Sequence, residues 1–345
     1  MSGRRIAALS LAVVLVLGGI GTAAVRFGEQ RLVAPGPLHE ARNVVVPHGF
    51  PTVVADALLQ VGVIGSEPEF RLAALLTRGE GSLHAAEFAF PAAASLRQVL
   101  TILRTARPVQ HHLTIPEGLT AAQIAVLLQR ADALSGDTPV PDEGAVMPES
   151  YAFELGATRA VLLERAEAAM QRTLAKVWAG RTEDLPLATP QDLLTLASIV
   201  ERETARPEER PLVAAVFLNR LRRGMKLQSD PTVAYAISGG LDTSDPTLTH
   251  ADLDVANPYN TYHATGLPPG PIGSPGLASL QAVAQPARTD DLYFVADGTG
   301  GHVFARTLDE HNRNVARWRA TGEVGSKAGG AAPSTPAKGV AFGNH

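Results

Sequence analysis

Leu196-Ala197-Ser198-Ile199-Val200-Glu201-Arg202-Glu203-Thr204 is an apolar run that closes on two carboxylates with an arginine between them. Just upstream, Thr189-Pro190-Gln191-Asp192 starts a helix. Threonine caps it, proline fills the first turn, where its missing N–H costs nothing, and aspartate faces the positive end of the macrodipole. At about 100° per residue, Glu201 falls on the arc shared with Leu194 and Ala197, and Arg202 points to the opposite, polar side. A carboxyl on an apolar arc is partly desolvated and keeps its proton closer to neutrality, the state that can protonate a leaving oxygen. Glu203 borders the other edge of the arc, beside Leu196 and Ile199, so the pattern favours Glu201 only slightly. A plainer alternative is a solvated helix end, with both acids paired to Arg202 or Arg206.

Further helices surround this one. Apolar residues at helical spacing predict one helix from about Arg159 to Trp178 and another from about Pro207 to Arg223, where Gly224 suits a left-handed cap. Leu292 to Val295 and His302 to Phe304 flank Asp297-Gly298-Thr299-Gly300-Gly301, a hairpin pattern, after which Thr307 caps a last helix. The first half carries a weak repeat. Val46-Pro47-His48-Gly49 leads to Val54-Ala55 and Leu58, and Ile115-Pro116-Glu117-Gly118 leads to Ile124-Ala125 and Leu128. Each copy reads as strand, turn and short helix. Between them, Phe88 to Phe90 precedes a helix from Ser95 to Leu103. A small α+β domain accounts for this half, and a carbohydrate-binding module is the sharper reading.

With 345 residues, 45% hydrophobic and 19% charged, the chain can bury one large or two modest cores. A formal charge of −4 gives no electrostatic basis for binding nucleic acid. The absence of cysteine removes thiol catalysis and disulfides. The ten histidines show no metal-ligand spacing, and no nucleophile-elbow or phosphate-loop pattern occurs, so no metal or other cofactor is expected. At the N-terminus, Arg4 and Arg5 precede an uncharged run from Ile6 to Val25. A membrane-spanning helix needs about 20 apolar residues, and the leading arginines favour sending the rest of the chain outward. Small residues at Thr22-Ala23-Ala24 leave a cleaved signal as the rival reading. Residues from Arg26 to Arg42 read as a linker, and those from Gly325 to His345 as a Gly/Ala/Ser/Pro tail.

Several blocks share a resemblance. They are Ala197 to Thr204, Glu209-Arg210, Val213 to Leu221, Gly224 to Tyr235, Tyr259-Asn260-Thr261-Tyr262, Gly266 to Ile272 and Leu292 to Gly298. In type and order they resemble the MltG/YceG-like endolytic murein transglycosylases over roughly Val45 to Trp318. Ser229 stands where threonine is common, and Met147-Pro148-Glu149-Ser150-Tyr151 is a variant segment.

That resemblance implies an α+β protein with a transmembrane anchor (1–30), a LysM-like membrane-proximal module (42–140), a catalytic domain (141–322) and a tail (323–345). It implies single-pass inner-membrane localisation, with the catalytic domain periplasmic or otherwise extracytoplasmic. Peptidoglycan glycan strands are the implied substrate and cell-wall synthases candidate neighbours. The family's acid/base carries over to Glu201, which would cleave the MurNAc–GlcNAc bond without water to leave 1,6-anhydro ends. Gln228, Asp230, Tyr259, Asn260 and Tyr262 lie in Gly/Pro-bounded loops and are candidate sugar contacts, with capping and core roles as alternatives. A hydrolytic muramidase would need a second, water-activating acid, for which Glu203, Asp230 and Asp252 are candidates. A non-catalytic anchored glycan-binding scaffold is the alternative from another class.

Overall fold

The computed structural model describes residues 26–241 and 248–328, together with Leu15, Gly19, Thr22 and Ala23. The apolar run from Ile6 to Val25 therefore lies almost wholly outside the described residues, as does most of the expected tail. Among the described residues no helix is long and apolar enough to cross a membrane. The chain forms two compact units, residues 1–111 with 152–156, and residues 112–151 with 157–345.

In the first unit, β1 (Arg42–Val45) and β2 (Glu87–Phe90) pair antiparallel, with Val44 opposite Phe88. Two helices lie between these strands in sequence, α1 (Pro51–Gln60) and α2 (Glu67–Leu76), and α3 (Leu96–Thr105) follows. Helical spacing puts Val54, Ala55 and Leu58 of α1 into a core with Phe70, Phe88, Phe90 and Leu103. Ser95 and Gln98 form a reciprocal capping box that starts α3 where the sequence placed it. Residues 26–33 are helical rather than irregular, consistent with the absence of proline before Pro35.

Next come β3 (Gln110–Thr114) and β4 (Ser150–Glu154), which pair with each other. Between them lies α4 (Ala121–Gln129). The second strand–turn–helix copy was expected to belong with the first, up to residue 140. It belongs instead to the second unit, because hydrogen bonds tie its turn there. The Gly118 amide donates to the Ser274 carbonyl and the Ser274 amide to the Leu119 carbonyl, both at 2.8 Å, and the Thr120 hydroxyl donates to the Gly240 carbonyl at 2.6 Å.

The second unit continues with α5 (Arg159–Ala179), α6 (Pro190–Glu203), α7 (Arg210–Arg222), α8 (Asp230–Ser238), α9 (His250–Leu253) and α10 (Leu277–Ala284). The hairpin of β5 (Tyr293–Ala296) and β6 (His302–Ala305) precedes α11 (Leu308–Ala328), whose helix extends past residue 323, where a tail was expected. α6 is the axis of this unit, packed by α5, α7, α8 and α10. Thr189 caps its first turn as expected, with Pro190 inside it, and Asp192, read from sequence only as facing the macrodipole, completes a reciprocal capping box. All residues from Leu193 to Val200 are buried, so α6 has no solvated face. Each large apolar side chain among them contributes about 1.5–3 kcal/mol through removal from water.

Candidate active site

The polar C-terminal end of α6 is where the buried axis meets solvent, and its two carboxylates part company there. Glu201 turns into the protein. Its Oε1 accepts a hydrogen bond from Arg210 Nη2 at 2.7 Å, and its Oε2 accepts one from the Gly276 amide at 2.8 Å. The side chain keeps 5% of its surface exposed. Arg210 Nη2 also reaches Glu117 Oε2 at 3.4 Å, so one guanidinium serves two acids. Gly276 is required by this packing, since a Cβ there would stand 1.8 Å from Glu117 Oε1. Burial raises the Glu201 pKa, and it outweighs the opposing Gly276 amide, the Ser279 hydroxyl beside it and the Arg210 charge. Glu117, as a like charge, adds to the rise.

Glu203 takes the other direction and lines a cleft of about 460 Å³. Its Oε1 accepts a 2.5 Å hydrogen bond from the Ser229 hydroxyl, and the buried Ser229 is itself fixed by its amide bond to Thr261 Oγ1 at 2.9 Å. Serine in place of the commoner threonine keeps this hydroxyl. Gln228, Asp230 and Tyr262 line the same cleft, as does Arg202, which was expected on a polar helix face. Arg202 Nη1 also lies 3.4 Å from the Gly118 carbonyl.

Three of the five loop residues singled out from sequence therefore converge on Glu203. Gln228 holds φ at +53°, a left-handed conformation that costs a non-glycine residue roughly 1–2 kcal/mol, so the surrounding structure must impose it. Arg220 is the brace. From α7 its Nε donates to the Leu292 carbonyl at 2.7 Å and its Nη1 to the Leu227 carbonyl at 2.7 Å, which fixes the backbone on both sides of the cleft. Tyr262 donates its hydroxyl to Asp230 Oδ1 at 2.5 Å. Its pKa is pushed far up, first by burial and then by the Asp230 charge, so the phenol stays protonated and remains a donor.

The other two residues do not line the cleft. Asn260 is fully buried, and its amide donates to the carbonyls of Leu253 at 2.9 Å and Val255 at 2.8 Å while its Oδ1 accepts from the Tyr262 amide at 2.9 Å. Those bonds occupy the polar atoms a sugar would need. Tyr259 packs on Tyr235 with ring centroids 4.8 Å apart and joins the apolar core. Asp252 caps its own short helix through Thr249, where backbone hydrogen bonds hold its carboxyl low.

Sequence reasoning missed one wall of the cleft, made by His302 at the start of β6 and backed by Glu209 at the start of α7. Its only sequence signal is Gly298-Thr299-Gly300-Gly301, read there as a turn. A Cβ on Gly301 would lie 2.6 Å from Glu209 Oε1, so the glycine also makes room for that carboxylate.

Known proteins with the same pattern support a common ancestry. The YceG-like family model matches residues 44–317. A protein of Streptococcus pneumoniae named endolytic murein transglycosylase is 34% identical over 252 residues, 61% of this chain and 45% of that protein. A Bacillus subtilis protein of the same name is 38% identical over 183 residues, 53% of this chain and 49% of that one. This chain thus aligns with just under half the length of these curated relatives. A crystal structure of a yceG-like protein from Listeria monocytogenes superposes with a TM-score of 0.52 at 28% identity, covering 79% of this chain and 98% of that one. With the family match running from the first strand of one unit into the last helix of the other, the chain belongs to the YceG-like family.

Proposed function

We propose that this chain is an exported endolytic lytic transglycosylase that cuts peptidoglycan glycan strands, with Glu203 as its acid/base. The observation that carries the reading is a carboxyl held by Ser229 in the lining of a cleft of about 460 Å³ that Gln228, Asp230 and Tyr262 also line. Helix spacing favours Glu201 only slightly and the family resemblance assigns it the role, but a general acid must come within hydrogen-bond reach of the oxygen it protonates. Glu201 is turned to Arg210 and Gly276 and does not line the cleft, whereas Glu203 is one of the cleft's lining residues.

The chemistry then needs one carboxyl. Glu203 gives its proton to the bridging oxygen as the bond from that oxygen to the MurNAc C1 breaks, and the GlcNAc side leaves with a free hydroxyl. Positive charge develops on the C1–ring-oxygen unit. The Glu203 carboxylate then takes the proton from the C6 hydroxyl of the same MurNAc as that oxygen bonds to C1. The products are a 1,6-anhydro end and an ordinary hydroxyl end, with the acid restored and no water consumed. Because the nucleophile belongs to the substrate, holding it close to C1 supplies much of the rate. The Tyr262–Asp230 pair and the Arg220-braced Gln228 suit that holding task, since their geometry is set before any ligand arrives.

The proposal extends to location. Arg4, Arg5 and the run to Val25 support an inner-membrane anchor with an extracytoplasmic body, near the synthases that lay down new strands. The strand–helix–helix–strand order of β1, α1, α2 and β2 supports a LysM-like role for the first unit. Mass spectrometry of purified uncross-linked glycan strands after digestion tests the central claim. Anhydro-MurNAc ends are expected. Reducing ends would mean hydrolysis, and uncut strands would mean a binding scaffold.

A further inference from the structure

We propose that His302 is a sugar-contacting residue of this cleft, which offers its ring Nε2 to a glycan hydroxyl from a ring locked by Glu209. The inference deepens the transglycosylase reading and rests on the same cleft.

The lock is two-pronged. Glu209 Oε1 accepts the His302 backbone amide at 2.9 Å, and Oε2 lies 2.7 Å from the ring Nδ1. The Thr204 hydroxyl, adjacent in sequence to Glu203, also donates to Oε2 at 3.1 Å. Burial is the largest single influence on Glu209 and pushes its pKa up, yet the ring and amide of His302 with Thr204 together hold it below the usual range. Glu209 is therefore a carboxylate, an acceptor only, and the proton between it and the ring sits on Nδ1. Phe294 meets the imidazole edge-on at 5.3 Å, which limits its rotation.

With the Nδ1 proton held by Glu209, Nε2 is the nitrogen left to the cleft, an acceptor in the neutral ring and a donor in the imidazolium, and a sugar hydroxyl can answer either. His302 lines the cleft, its side chain retains 17% exposure, and among the described residues Nε2 has no hydrogen-bond partner. A purely structural link between hairpin and helix would need only Nδ1. An oriented ring nitrogen in the cleft that Glu203 also lines is what a polyhydroxylated ligand can use. Gly301 permits the arrangement, since any side chain there would displace Glu209.

Asparagine places an amide nitrogen about where Nδ1 stands but has nothing at Nε2, so H302N separates the two roles. In the full-length chain in detergent, H302N should keep its melting temperature within about 3 °C and hold glycan strands roughly three- to tenfold more weakly, the loss of one hydrogen bond. A folded H302N that binds strands as tightly as the unaltered protein overturns the proposal. The second measurement does not depend on how the variant folds. Long-range ¹H–¹⁵N correlation on histidine-labelled protein carrying E203Q, which blocks turnover, should show an Nδ1–H tautomer at His302. Its Nε2 resonance should shift when uncross-linked glycan strands are added. An Nε2–H tautomer, or saturated binding without that shift, sinks the idea. Binding with the shift but no anhydro ends from the active protein would instead remove the transglycosylase reading and leave the contact standing.

Discussion

Replacing each α6 carboxylate separately by glutamine puts the two acids in direct competition. Glutamine at 203 can still accept from Ser229 but cannot cycle a proton. The loss is that of general acid–base catalysis, about 10²–10⁴-fold in kcat, or about 3–5 kcal/mol of barrier. Because that bond is kept, the melting temperature should move by no more than roughly 2–4 °C. That small shift certifies that lost turnover is not lost fold. Glutamine at 201 has a single oxygen for two donors, so it can satisfy either the Gly276 amide or Arg210, and Glu117 at 3.4 Å remains to pair the guanidinium. It touches no cleft residue's proton, and turnover should stay within about tenfold of the unaltered protein. The assay is the initial rate of anhydro-MurNAc formation from glycan strands, read by mass spectrometry, with calorimetry on the same samples. Near-normal turnover in Glu203→Gln with none in Glu201→Gln would refute the argument and return the acid to Glu201.

The remaining predictions probe the framework. Because burial raises the Glu201 pKa, its ionisation in the folded state costs stability once pH exceeds the unfolded value, and the cost levels off above the folded value. The melting temperature of Glu201→Gln, relative to the unaltered protein, should therefore rise through that window, and a relative fall would show that the Arg210 pair dominates. Asn260→Ala strips two buried carbonyls and the Tyr262 amide of their partners. It should cost about 2–4 kcal/mol by urea unfolding, and a loss below 1 kcal/mol would contradict the assigned role. Thr189→Ala removes the α6 cap and should cost about 1 kcal/mol in the same assay, where an unchanged midpoint would count against the capping box. Fractionation should find the protein at full length in the membrane, whereas a soluble species starting near Val25 would mean a cleaved signal.

Helix boundaries were readable in the sequence because caps and stops are local. Thr189, Ser95 and Gly224 at φ +67° each act within a few residues, and the elements begin and end close to those signals. The turn around Gly118 was read correctly as a turn but assigned to the wrong neighbours, since its partners Ser274 and Gly240 are distant in sequence.

The choice between Glu201 and Glu203 lay beyond any periodicity argument. Helical spacing gives a direction only when one face is solvated, and α6 is buried all round from Leu193 to Val200. What divides the two acids is the partner waiting on each side, Arg210 with Gly276 for one and Ser229 with an open cleft for the other. Asn260 and Tyr262 stand two residues apart in one loop, yet backbone carbonyls consume the first and the cleft receives the second. His302 and Glu209 meet across 93 positions of sequence. The sequence by itself determined the α+β class, the capped helix and the loop that would furnish polar groups, because propensity, capping and turn chemistry act over a few residues. Only the tertiary structure decided which carboxyl faces the cleft and which histidine backs it, because desolvation and pairing depend on groups that chain folding alone brings within 3 Å of each other.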